Sequence, residues 1–141
     1  MKLTGLRLDA RLGIREIDND HAALSRMIAE IGKLLHNQNY FDDIRDKAVR
    51  LFRFADEHFT REDTMMDALP YTKYAGHIDT HKKLHMSFLS QIAGMSNCAP
   101  NSRDVVLKYT QILSDILDEM VSTDRDMVNI LIAEGVLQTS H

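Results

Sequence analysis

The sequence predicts an all-α fold: an up-down-up-down antiparallel four-helix bundle with an extended N-terminal arm. Three observations lead there. Apolar residues recur at three- and four-residue steps in four separate stretches. The alternation that a half-buried strand needs is nearly absent. The two prolines, Pro70 and Pro100, fall between the periodic stretches and not inside them. Short connections between amphipathic helices favour antiparallel neighbours. The expected organisation is one domain over 1–141, with the arm at 1–17 and the bundle at 18–135.

The first helix, about 19–37, carries His21, Leu24, Ile28, Ile31 and Leu35 on one stripe, with Asp18 or Asp20 as cap. The second, about 41–67, runs through Ile44, Ala48, Leu51, Ala55, His58, Glu62 and Met65 or Met66, and stops before Pro70. The third, about 73–95, places His77, His81, Leu84, Phe88 and Ile92 together. Pro100 breaks the chain, and Asn101 or Ser102 caps a fourth helix over about 102–134. Its stripe reads Val105, Tyr109, Ile112, Leu113, Ile116, Met120, Met127 and Ile130, and Gly135 ends it. The first seventeen residues are too interrupted by Gly and Arg for a fifth bundle helix.

Composition removes several function classes. The formal charge is −4, so no basic surface points to nucleic acid or anionic lipid. No stretch reaches the roughly twenty apolar residues that cross a bilayer, and the N-terminus lacks the apolar run of a signal peptide. The single Cys98 excludes an internal disulfide and suits a reducing compartment. A cytoplasmic protein without membrane insertion is the expectation.

The informative residues are the polar ones that fall on apolar stripes: His21, His58, Glu62, His77, His81, Glu119 and Asp124. His58–Glu62 and His77–His81 are four-residue steps, which bring two side chains to one helical face. A single buried histidine is commonly a hydrogen-bonded core residue, and one such pair proves little. Antiparallel packing, however, sets His21 level with His58 and Glu62, and His77 and His81 level with Glu119 and Asp124. Seven such groups at one end of a bundle would be costly to bury unless a metal held them.

These residues also carry a family resemblance. Gly13-Ile14-Arg15-Glu16-Ile17-Asp18-Asn19-Asp20-His21-Ala22-Ala23-Leu24 resembles the "GI..ID..H..L" of the bacterial hemerythrin-like domains. His58-Phe59-Thr60-Arg61-Glu62-Asp63-Thr64-Met65-Met66 resembles their "HF..EE..M", His77 and His81 their "H...H", and Thr123-Asp124 their terminal "TD". The resemblance implies a non-haem centre of two iron ions, bridged by an oxo or hydroxo group and by the carboxylates of Glu62 and Asp124. His21 and His58 would hold one iron and leave a position open for dioxygen; His77 and His81 would hold the other. Leu24, Phe59, Ile116 and Met120 are expected around the oxygen pocket, keeping it dry.

Three departures qualify the match. The family's fifth histidine is replaced by Glu119, which its motif position on the helix of Asp124 marks as a ligand; its ligation would remove one positive charge from the cluster and favour the ferric state. If Glu119 turns to solvent instead, that iron has an extra open position. His81-Lys82-Lys83-Leu84-His85-Met86-Ser87-Phe88 also resembles the family's "HK..H..F" one turn later, which makes His85 an alternative ligand. Spacing from Glu62 favours His77 and His81, and local sequence favours His81 and His85; the spacing decides for His77 and His81, because packing fixes register across a bundle. Asp115 stands where the family has a tryptophan, which would admit water. His36 suits a helix-dipole contact, and His141 and Cys98 have no assigned role.

The functional expectation is a non-haem di-iron protein that binds dioxygen or a related small ligand, acting as an oxygen or redox sensing domain and not as an enzyme. Its signalling partner or fused output domain would lie outside this sequence. A di-iron enzyme acting on peroxide or nitric oxide, and a metal-binding domain without oxygen binding, are the alternatives.

Overall fold

The computed structural model describes residues 12–34, 41–97 and 103–138. Four helices make it up: α1 (Arg15–Leu34), α2 (Phe41–Asp67), α3 (Tyr71–Asn97) and α4 (Arg103–Ala133). Each packs chiefly on two neighbours, α1 against α2 and α4, and α3 against the same pair. That is the ring of a four-helix bundle, and no strand occurs among the described residues. Residues 1–11 of the arm lie outside the described residues, as do Leu35, His36, Cys98, Pro100, Asn101, Ser102 and His141.

The helix ends show how local chemistry sets the boundaries. α1 begins at Arg15, earlier than its acidic residues suggest, so residues 15–17 belong to the bundle and not to the arm. Asp18 does not cap it from outside. Its carboxylate accepts hydrogen bonds from Leu12 N (2.7 Å) and Gly13 N (3.1 Å), hooking the incoming chain. Gly13 has φ +84°, a conformation costly for any other residue at that turn. α4 ends in a left-handed Gly135 (φ +77°), with Val136 N donating to Leu131 O at 2.8 Å and Gly135 N to Ile132 O at 3.0 Å. This pair of bonds satisfies carbonyls that the last helical turn would leave open.

The main core fills one stretch of the bundle. Leu24, Ile28 and Ile31 meet Leu51, Ala55 and Phe59, and Phe88 and Ile92 meet Leu113, Leu117 and Met120. A smaller group, Met66, Leu69, Ile78, Met127 and Leu131, closes one end, beside Ile14, Ile17 and Val128. α2 buries the stripe its sequence predicts. α4 is turned slightly from expectation: Val106, Thr110, Leu117 and Val121 face inward, while Val105 and Ile112 are exposed. Its apolar residues spread over more than one face, so periodicity alone leaves the rotation loose.

α3 departs most. Its buried set is Ile78, His81, His85, Phe88, Ile92 and Met95, at alternating steps of three and four. Tyr74 is non-helical (φ −122°, ψ 18°), so a first turn after Pro70 is followed by a kink. The connection thus absorbs a full-turn shift, and Ile78, not His77, fills the closing apolar layer. No helix among the described residues is long and apolar enough to cross a membrane.

Candidate metal centre

Every helix contributes to one buried polar layer. α1 supplies His21, α2 His58 and Glu62, α3 His81 and His85, and α4 Asp124. Each sits within an apolar stripe: His21 between Ile17 and Leu24, Glu62 between Phe59 and Met66, Asp124 between Met120 and Met127. The layer therefore lies between the main core and the small closing cluster, shielded along the bundle axis from both sides. Helical periodicity aims these side chains at the axis, and their chemistry makes that aim expensive without a partner.

The two carboxylates bind the layer together. Glu62 Oε1 lies 3.0 Å from His58 Nε2 and 3.3 Å from His85 Nε2. Asp124 Oδ2 is 2.7 Å from His21 Nε2, and its Oδ1 is 3.1 Å from His81 Nδ1. Each carboxylate thus spans one imidazole of the His21–His58 pair and one of the His81–His85 pair. Within each pair the rings meet edge to face, with centroids 5.4 and 5.7 Å apart. Two groups of donor atoms have all members within 4.8 Å: His21, His58, Glu62 and Asp124, and His81, His85 and Asp124. They share Asp124.

Several of these close approaches are not hydrogen bonds. His21 Nδ1, His58 Nε2, Glu62 Oε1, Asp124 Oδ1 and both nitrogens of His85 are buried and make none. Most of them belong to the residues whose donor atoms crowd within 4.8 Å of one another. Unsatisfied buried polar atoms are rare in native proteins. Imidazole and carboxylate donors converging in this way fit a transition-metal cation, which would satisfy them together.

Groups outside the layer orient it. His58 Nδ1 donates to Asp20 Oδ2 at 2.8 Å, which sets Nε2 on the side of Glu62. Asp20 is held in turn by Arg61 at 2.5 Å. His81 Nε2 donates to the Thr123 carbonyl at 3.3 Å, turning Nδ1 toward Asp124. Phe59 stacks flat on His85, with centroids 4.0 Å apart and planes at 9°. Such outer contacts set tautomer and ring orientation in metal sites. Asp20 in this role has no sequence signal beyond its place beside His21.

The electrostatics are those of carboxylates and imidazoles crowded out of water. Burial opposes ionisation of Glu62, yet the His58 and His85 imidazoles set against its carboxylate outweigh it and hold its carboxyl well below the usual range. Asp124 is pushed above 3.8, chiefly by burial and with help from the Glu62 charge, against the pull of His21. Burial likewise disfavours a charged His58, but Glu62, Asp20 and Asp124 overcome it and raise the imidazole above 6.5.

This donor set has a counterpart among known proteins. Residues 12–129 match the family model described as the hemerythrin HHE cation binding domain. The chain belongs to the hemerythrin family. A bacteriohemerythrin of Clostridium acetobutylicum is 29% identical to it over 114 residues, covering 79% of this chain and 81% of that protein. No solved structure matches. The buried layer of this hemerythrin domain can hold a metal.

Within the hemerythrin layer, five of the expected residues come together: His21, His58, Glu62, His81 and Asp124. His85, the alternative, joins them. His77 does not: it is exposed on α3, its ring against Tyr74. Glu119 is exposed as well. Five residues along a regular α-helix turn it by about 140°, so with Asp124 facing the axis Glu119 faces away. Of the expected pocket residues, Leu24, Phe59 and Met120 are buried and Ile116 is partly so, all in the main core beside the layer. Asp115 is exposed.

Proposed function

We propose that this hemerythrin domain holds two iron ions and binds dioxygen or a related small ligand at them, as an oxygen- or redox-responsive module. The observation that carries the reading is the pair of carboxylates, each within 3.3 Å of imidazoles from both histidine pairs. One carboxylate between two imidazoles suits a single cation; two carboxylates across two pairs suit two cations with shared anionic bridges. His21 and His58 would hold one, His81 and His85 the other, with Glu62 and Asp124 between them. An oxo or hydroxo bridge would complete the cluster.

A bound iron pair supplies two electrons to a ligand such as dioxygen. The chain's own part is to position, neutralise and dehydrate. Glu62, held as a carboxylate, offers negative charge to both positions. Asp20 keeps the His58 proton on Nδ1, away from the cluster. Leu24, Phe59 and Met120 keep water from one side of the layer. Glu119 stands outside in solvent, which favours a less saturated site than five histidines would make. That supports the enzymatic alternative, turnover of peroxide or nitric oxide, as a second reading.

The test is to reduce the iron-loaded protein without oxygen and then admit air. Dioxygen binding predicts two irons per chain and a visible band distinct from the reduced and the fully oxidised spectra. Direct passage to the oxidised spectrum counts against binding, and repeated turnover of peroxide or nitric oxide supports the enzyme. Iron content well below two per chain after reconstitution overturns the proposal.

A further inference from the structure

Resting on the two-metal reading, we infer that the two positions are unequal. The His21–His58 position binds a divalent cation tightly, and the His81–His85 position takes a second cation weakly and exchangeably. Three features lead there.

Donor packing differs first. Four residues, His21, His58, Glu62 and Asp124, bring donor atoms within 4.8 Å of one another, whereas around the second pair only His81, His85 and Asp124 do so, and Glu62 joins them through its 3.3 Å approach to His85. Glu119, the residue that would add a donor from α4, is exposed.

The outer support differs as well. His58 is locked by a 2.8 Å bond to Asp20, which is itself pinned by Arg61 and whose side chain is 18% exposed. The corresponding residue beside His85 is Asp63. Its Oδ1 is 3.3 Å from His85 Nδ1, makes no hydrogen bond, and belongs to a side chain 40% exposed. One imidazole is aimed in advance; the other is left to be ordered by the cation. An orienting carboxylate of this kind is worth about 10- to 100-fold in metal affinity.

The third feature is access. Asp63 sets the His85 edge of the layer next to solvent, while Asp20 and Arg61 close the His58 edge with an ion pair. A cation at the second position therefore has a shorter way out.

The experiment is an anaerobic titration of the metal-free full chain with Co²⁺, followed by visible absorption and by competition with a chelator. Two inflections are expected, the first equivalent binding at least about tenfold tighter than the second. Asp20→Ala should weaken the first equivalent about 10- to 100-fold, and Asp63→Ala should change either by less than about threefold. His85→Ala should abolish the weak equivalent and keep the tight one, with helical circular dichroism confirming that each variant is folded. Two equivalents of equal affinity overturn the inequality and leave the two-metal reading standing. Loss of the tight equivalent in His85→Ala reverses the assignment and overturns it too. No Co²⁺ uptake at all overturns both.

Discussion

Removing metal should cost this protein a calculable part of its thermal stability. The buried donors of the layer come from all four helices, so unfolding separates them and releases whatever they hold. A ligand bound only by the folded state stabilises it by RT ln(1 + [L]/Kd), about 2.7 kcal/mol per site at a free concentration 100 times Kd. For 141 residues, an unfolding entropy of about 2.1 cal/mol/K per residue gives about 0.3 kcal/mol/K, so 1 kcal/mol moves Tm by about 3 °C. One filled site is then worth about 9 °C under those conditions, and two about 18 °C. The sharper quantity is the slope. Each tenfold rise in free metal adds about 1.4 kcal/mol per site, or about 4 to 5 °C, so the slope of Tm against log concentration counts the cations released. The assay is thermal unfolding by circular dichroism across buffered free Co²⁺ or anaerobic Fe²⁺, with a chelator as the zero point. A slope near one site's value at low concentration should steepen toward two as the second position fills. A Tm that stays within about 2 °C across the whole range would refute the argument that these donors exist to hold cations.

Four further outcomes follow from the structure. His77→Ala and Glu119→Ala should leave the metal content of the reconstituted protein at two per chain, because both residues are exposed and away from the layer; a loss of one metal in either variant would restore that residue as a ligand. Gly76→Ala, with nothing within 4 Å of an added Cβ, should stabilise the helix by about 1 kcal/mol. Gly94→Ala should lose that gain, because its Cβ would lie 2.7 Å from Tyr109 Oη and 3.1 Å from the ring, and such overpacking costs about 1–3 kcal/mol in denaturant unfolding. The pH response should change sign with metal. In the metal-free protein His58 is raised above 6.5, so its contribution is fully present below 6.5 and is lost as pH rises through the folded value. A cation must displace that proton, so its affinity should fall by about tenfold per pH unit below the same value. Titrations between pH 6 and 9 that show both trends reversed would remove His58 as the controlling group.

Much of this was legible in the residues because helical periodicity and chemistry agree. The stripe of α2 from Ile44 to Met66 is continuous, so His58 and Glu62 sit where counting by threes and fours puts them. His21 and Asp124 are equally plain, since each stands within a run of buried aliphatic or thioether side chains. The histidines of α3 were harder. His77, His81 and His85 are each four apart, and only the backbone at Tyr74 decides which two face inward. A kink of one residue is a tertiary outcome, made where Ile78 packs against Met66 and Met127. Glu119 illustrates the opposite hazard, because its motif position points to the layer while the rotation of a regular helix turns it to solvent. Asp20 looks like a cap because acidic residues favour helix starts; its bond to a histidine 38 residues away leaves no local trace.

The contact between His21 and Asp124 joins residues 103 positions apart, the first helix to the last. A chain with one cysteine cannot staple its ends with a disulfide. A cation gripped by both side chains would do the same work, cutting the freedom of the unfolded chain by closing a loop of nearly the whole domain. In the chain-entropy account, a covalent link around a loop of about 100 residues is worth about 4.7 kcal/mol. Unlike a disulfide, this clasp would open and close with the supply of metal, so the fold's own coherence would follow the availability of the ion it binds.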